Sequence, residues 1–282
     1  VSKISVLILS AFLFLSRPVG AETVKNISAE GSCAIVSMSA EQCQLIALQR
    51  ARAAAIEQAA GMSVASSALV TNMALTADFI KTYSKGFIIN EKTQWLPLGQ
   101  YQKDAKTPPI PEYRVKITAD VRTPQPKIKP IGLKAKTNNI VYKNGDRAVI
   151  EASAIRVAKI AIFNITADDK VVMVFPNEHD KENRLPAKGR LKFPDKNTKT
   201  ELVMQTLEGH QRDTEAFLIA ALDNEYAKDF TDIFMPLEPM SFSAFFKKFS
   251  DIADYAEDVM LVYEVVNPVR NGHSNGVNPK DK

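Results

Sequence analysis

Cysteine and histidine are scarce in this 282-residue chain, two of the first and three of the second. A metal centre draws on clustered His, Cys and carboxylates. His179, His210 and His273 lie far apart in sequence, so the best local cluster is Glu178, His179, Asp180 and Glu182. In a loop this polar those side chains are expected to be solvated, and no metal site is expected. The glycines form neither GxGxxG nor GxxxxGK[ST], so no phosphate-cradling loop is signalled. The stretch EGSCA at 30–34 lacks the second glycine of a strand-to-helix serine elbow. No charge sign dominates: 36 basic and 32 acidic residues give a formal +4, which drops to +2 without Lys3 and Arg17 of the leader described next. A dedicated nucleic-acid binder would carry a strong basic excess. No catalytic residue and no cofactor are expected.

What is present begins with a leader. Lys3 precedes an apolar run from Ile4 to Leu15, and Val19, Gly20 and Ala21 put small side chains where a signal peptidase cuts. As a helix that run reaches about 18 Å, against roughly 30 Å of bilayer hydrocarbon. A cleaved signal peptide over 1–21 is expected, with the protein starting at Glu22 in the periplasm or outside the cell. No other apolar run is long enough to span a bilayer, and no cysteine follows the leader as a lipid attachment point. Cys33 and Cys43 both fall in the exported part, where thiols are oxidised. A structural disulfide between them is expected, rather than a reactive thiol, because neither has a histidine nearby nor sits in a CxxC pair.

The remainder divides in two. Ser39 and Gln42 have the spacing of a capping box, and an Ala-rich helix follows with Leu45, Leu48, Ala55 and Ala59 on one face, stopped by Gly61. A short strand at 62–67 and a helix over 72–86 come next. Strands at 87–99 and 112–121 flank a Pro-rich exposed loop, and Tyr113, Val115, Ile117, Ala119 and Val121 alternate onto one face of the second. Residues 24–122 are expected to form an antiparallel sheet with a packed helix. Pro124, Pro126 and Pro130 mark 123–138 as a semi-rigid spacer. Its basic residues, with Lys134 and Lys136 among them, offer weak contact to an anionic envelope surface. From 139 to 266 short strands and turns succeed one another, starting at the Asn144-Gly145 turn signal. Phe242, Phe245, Phe246, Phe249, Ile252 and Ala253 form the apolar face of a late helix, and a buried strand closes the unit. The fold class is therefore α+β, a helix-covered sheet followed by a β-rich, sandwich-like unit. The tail 267–282 is polar and expected to be disordered.

Asp168 and Asp169 join two apolar runs. They could be paired acid–base carboxylates or the tip of a hairpin. Asp is favoured in turns because it bonds its own backbone, whereas paired carboxylates need shared burial to separate their pKa values. The hairpin reading is expected, with both side chains facing water.

Two resemblances add to this. Gly145-Asp146, the run from Ile165 to Asp169, Phe175-Pro176-Asn177, Leu185 to Gly189, and Phe193-Pro194 resemble the pattern of the domain-of-unknown-function 4384 family over roughly 140–225. The chain departs at Asp169, where the family often has Gly. The family is similar to accessory modules beside kinases, proteases and envelope proteins, and the resemblance implies no activity. The stretches ALQRARAAAIEQAAGMSV, DFIKTYSKGFI and YRVKITADV, within 24–122, resemble the amino-terminal domain of flagellar assembly protein T. That resemblance implies a periplasmic protein of the ring around the flagellar motor, although the other parts of such proteins are replaced here. The expected function is that of a non-enzymatic bacterial envelope adaptor or assembly factor, with no nucleic-acid partner. The alternatives are a structural piece of a flagellar or secretion apparatus, and a secreted metal-dependent hydrolase centred on His179.

Overall fold

The computed structural model describes residues 22–36, 38–61, 82, 86–124 and 129–268. The leader, the strand expected at 62–67, most of the helix expected over 72–86, residues 125–128 of the spacer and the tail from 269 lie outside the described residues.

The chain opens with strand β1 (Glu22–Ala34), helix α1 (Ala40–Ala59), β2 (Phe87–Trp95), β3 (Gly99–Tyr101) and β4 (Ile110–Thr123). The antiparallel sheet has the order β1-β4-β2, with β3 also on β4. Strand β1 is not apparent from apolar alternation because a register shift between Val24 and Ile27 breaks its period. Asn26 sits in that shift at φ 57°, and its N–H donates to Asp120 Oδ1 at 2.9 Å. The expected capping box closes α1: Ser39 Oγ accepts from Gln42 N, and Gln42 Oε1 accepts from Ser39 N. Gly61 takes the left-handed conformation at φ 67°, as expected of a helix stop.

The buried stripe of α1 differs from the expected one. It runs through Cys43, Ile46, Ala47, Ala51, Arg52, Ala55 and Ile56, while Leu45, Leu48 and Ala59 are only half-buried. The reason is the closeness of helix and sheet. A Cβ on Gly31 of β1 would lie 2.1 Å from the Ala47 carbonyl oxygen and 2.5 Å from the Ala51 nitrogen. Small side chains, not leucines, therefore mark the contact line.

The β-rich unit adds β5 (Lys134–Thr137), β6 (Val141–Lys143), β7 (Arg147–Ala148), β8 (Ile150–Ser153), β9 (Ala158–Ile165), β10 (Lys170–Phe175), β11 (Arg184–Leu185), β12 (Arg190–Phe193), β13 (Leu202–Val203), β14 (Arg212–Asp223), β15 (Met240–Ser241), α2 (Phe242–Ser250) and β16 (Ala256–Val266). The large sheet has the order β15-β10-β9-β14-β16-β6, with β11 also on β9. Its pairs are antiparallel except β6 with β16. Small sheets β12-β8-β5 and β13-β7 complete the unit.

The large sheet is covered on both faces. Ile160, Ile162, Phe217 and Ile219 point into a core shared with Ile150, Ala152 and Phe193 of the three-stranded sheet. The alternate residues Ala161, Phe163, Leu218 and Ala220 point into a second core with the phenylalanines of α2. Burial of both faces explains why β9 and β14 are nearly continuous apolar runs. That second core also holds Ile27, Ile56, Phe87 and Val121 of the amino-terminal layer. The Phe87 ring lies 6.1 Å from Phe246 and 5.8 Å from Phe249. The two segments thus pack on one core. The end of the Pro-rich segment is built into the β-rich unit as well: Ile131 and Leu133 are buried, and their N–H groups with that of Gly132 donate to the Glu257 carboxylate at 2.5–3.0 Å.

Candidate functional site

The β9–β10 hairpin reverses at Asp168-Asp169, with Asp169 at φ 62° and Thr166 N donating to Lys170 O at 2.9 Å. The hairpin expectation holds, but one part of it is corrected: Asp169 does not face water. Its Oδ1 accepts from Arg52 Nη1 at 2.8 Å. Arg52, 2 % exposed, also grips Glu91 with two bonds, Nε to Oε2 at 2.9 Å and Nη2 to Oε1 at 2.7 Å. Ser243 joins the cluster, and the guanidinium lies 5.0 Å from the Phe242 ring centroid. Helix α1, strand β2, the hairpin tip and α2 therefore meet at one arginine. Burial pushes the Asp169 carboxyl up; Arg52 opposes the shift and Glu91 adds to it. Two carboxylates, Asp169 and Glu91, share this one cation. Asp168 turns the other way. Burial would raise it too, but the Lys170 ammonium at 2.6 Å and the Thr166 hydroxyl at 2.6 Å together hold it below the usual range. The neighbouring carboxyls thus differ because their surroundings differ, not because they share a proton.

The remaining sequence candidates are dispersed. His179 follows the far end of β10 from Asp168-Asp169, a separation of roughly 20 Å along a six-residue strand. Its imidazole is half-exposed, 3.2 Å from Glu178 Oε1. Asp180 holds its own loop, accepting from Lys199 N, Thr200 N and Thr200 Oγ1. Among the described residues no three His, Cys, Asp or Glu side chains group as metal ligands. Cys33 on β1 and Cys43 on α1 are both buried and are free thiols in this structure, so the expected bridge is not formed here. They are neighbours nonetheless: Cys43 Sγ donates to the Cys33 carbonyl at 2.9 Å, and their side chains interact. Burial pushes both thiols up.

Two polar clusters have no clear sequence signal. His210 Nδ1 lies 2.6 Å from Asp213 Oδ1, and Asp213 Oδ2 accepts from Leu207 N at 2.6 Å. Gln42 of α1 donates to the Arg212 carbonyl beside it at 3.1 Å, another tie between the segments. Inside the β-rich unit the Tyr263 hydroxyl lies 2.7 Å from Glu215 Oε2 and 2.6 Å from Asn164 Oδ1. One hydroxyl proton serves one of these contacts, and burial pushes the Glu215 carboxyl up while Tyr263 and Asn164 oppose the shift. A charged residue inside an apolar run is the trace these clusters leave. Arg52 stands between Ala51 and Ala55 in the α1 stripe, and Glu215 opens the apolar run of β14.

Elsewhere the surface carries an apolar end. Strand β2 runs from buried Phe87 to Trp95, which is 44 % exposed and stands edge-on to Tyr113 at 6.4 Å. Leu98, 60 % exposed, follows it. Val36, also exposed, lies just past Ile35, whose N–H donates to Pro111 O at the same end of the sheet.

Fold and side chains together define an α+β protein whose β-rich, sandwich-like unit carries a helix-covered sheet. Within that unit, residues 141–213 match the family described as "Domain of unknown function (DUF4384)". The match runs from β6 to the second residue of β14, so α2, β16 and the whole amino-terminal layer lie outside it. No curated protein matches the chain. No helix among the described residues is long and apolar enough to cross a membrane.

Proposed function

We propose that the protein is an exported bacterial envelope adaptor or assembly factor that acts through protein–protein contacts rather than catalysis. The observation that carries this reading is the apolar end of the amino-terminal sheet, where exposed Trp95 stands edge-on to Tyr113 and exposed Leu98 and Val36 belong to the same end of the sheet. Exposed aromatic anchors of this kind dominate binding energy at protein interfaces. Buried Arg52, by contrast, is occupied with Glu91 and Asp169 in tying the layers together. A place in a flagellar or secretion apparatus is a narrower form of the same proposal and rests on the resemblance of residues 24–122. The hydrolase reading draws no support from the half-exposed His179 and the loop-bound Asp180.

The test is a photo-crosslinking side chain introduced at Leu98 in living cells. A discrete crosslinked partner is expected in the envelope fraction. Adding Trp95→Ala should weaken that capture by roughly thirtyfold, the cost of losing an interface anchor. No crosslink at Leu98 above that from exposed Lys103 would sink the proposal.

Export also bears on the cysteines. In an oxidising compartment the two adjacent thiols would join by exchange with an oxidising disulfide, which takes up their two electrons and two protons as two thiols, closing an 11-residue loop worth at most about 3 kcal/mol. Alkylation of the unfolded exported protein in denaturant, without reductant, followed by mass spectrometry should find neither Cys33 nor Cys43 labelled. Labelling of both refutes the bridge.

A further inference from the structure

The outer face of the three-stranded sheet β12-β8-β5 is a basic platform. Lys134, Ser153 and Arg190 pair across the strands in one row, and Lys136, Glu151 and Lys192 in the next. The intervening Ala135, Ala152 and Leu191 point inward against the core. The face therefore presents four cations around one carboxylate. Strand geometry puts the cations at the corners of a rectangle of roughly 7 by 10 Å. Glu151 is paired with Lys136 at 2.9 Å, which holds its carboxyl below the usual range with help from Lys192 and Arg190. No described ion pair takes Lys134, Arg190 or Lys192, so a net charge of three faces solvent. A shallow open depression of about 550 Å³ lies over this face.

We propose that this platform docks the protein on an anionic phospholipid surface. The chemistry of the face selects that occupant. It has no aromatic side chain on which a base could stack. It has no exposed apolar anchor of the kind a protein interface is built around. Backbone N–H groups of the central strand are engaged in the ladders on both sides, so no cradle encloses a single phosphate. Three of the four cations are lysines, flexible point charges that follow mobile headgroups. The platform is separate from the Trp95 end, so the outcome of its test is independent of the adaptor test.

The experiment measures partition of the full chain onto phosphatidylglycerol-containing vesicles relative to neutral phosphatidylcholine vesicles at low ionic strength. Taking the ratio cancels charge-independent insertion. Each cation at such a surface is worth about fivefold. The variant K134Q/K136Q/R190Q/K192Q, with its fold verified by circular dichroism, should lower the ratio by roughly six-hundredfold, four charges at about fivefold each. Glu151→Gln should raise it about fivefold, a gain that a purely structural salt bridge would not give. Glutamine at the exposed loop residues Lys103 and Lys106 should leave most of the preference intact. No preference for anionic vesicles in the unaltered protein, or a preference that survives the fourfold variant, overturns the proposal. So does tighter binding to polyglutamate or single-stranded DNA than to vesicles, or full competition by millimolar inorganic phosphate.

Discussion

Replacing Arg52 by methionine is expected to destabilise the protein by about 3–5 kcal/mol, the cost of leaving buried carboxylates without their cation. Methionine keeps the stem and the contact with Phe242, so the loss reports the charge and its hydrogen bonds. Glu91 would lose both of its bonds to the guanidinium and Asp169 its one. Urea unfolding checks the value. Combining Arg52→Met with Glu91→Met and Asp169→Asn should recover much of the loss, because no uncompensated charge then remains buried. A loss below about 1 kcal/mol would mean that the cluster is solvated and does not lock the layers.

The same cluster sets a pH dependence. The folded-state pKa of Asp169 is raised above its ordinary value of 3.8, so the folded protein holds that proton more tightly than the unfolded chain does. Its favourable contribution is complete below pH 3.8 and is lost as pH rises through the folded pKa. Asp169→Asn, which asparagine's tolerance of positive φ permits, should flatten this part of the stability profile above pH 4. An unchanged profile would show that Asp169 titrates as an exposed carboxyl.

Phe245→Ala should cost about 3–5 kcal/mol and act on both segments at once. Phe245 is fully buried, with its ring 4.8 Å from Phe163, 5.2 Å from Phe234 and 4.9 Å from Phe246. Phe246 in turn packs on Phe87 of the amino-terminal sheet. The shared core makes one cooperative transition the expectation. Trp95 fluorescence reports the amino-terminal layer and far-ultraviolet circular dichroism reports the whole strand content. Both midpoints should fall together in Phe245→Ala. If the fluorescence transition keeps its midpoint while the other moves, the segments fold independently.

Much of this architecture was legible residue by residue. Ser39, Gln42 and Gly61 bracket α1 because capping is a local exchange of hydrogen bonds. The phenylalanine spacing of α2 shows its buried face because a helix repeats every 3.6 residues. The Asp168-Asp169 turn shows itself through turn chemistry. Strand β1 did not, since its register shift breaks the alternation. The buried face of α1 departs from its leucine spacing because its packing partner is a glycine, and contact distance rather than hydrophobicity decides which side chains point inward. The Arg52 cluster was hidden for a related reason: its members are separated by 39, 117 and 191 residues, and no pairwise spacing in sequence records such a meeting.

By itself the sequence determined the caps of α1, the turns, the apolar face of α2 and an α+β, β-rich class, all properties of short-range chemistry. Only the tertiary structure decided that Asp169 turns inward to a distant arginine, that the layers share one core, and that four cations from two separate strands align on one face. Those outcomes depend on which surfaces come together when apolar area leaves water, and on the fact that a charge carried along must find a partner or stay exposed.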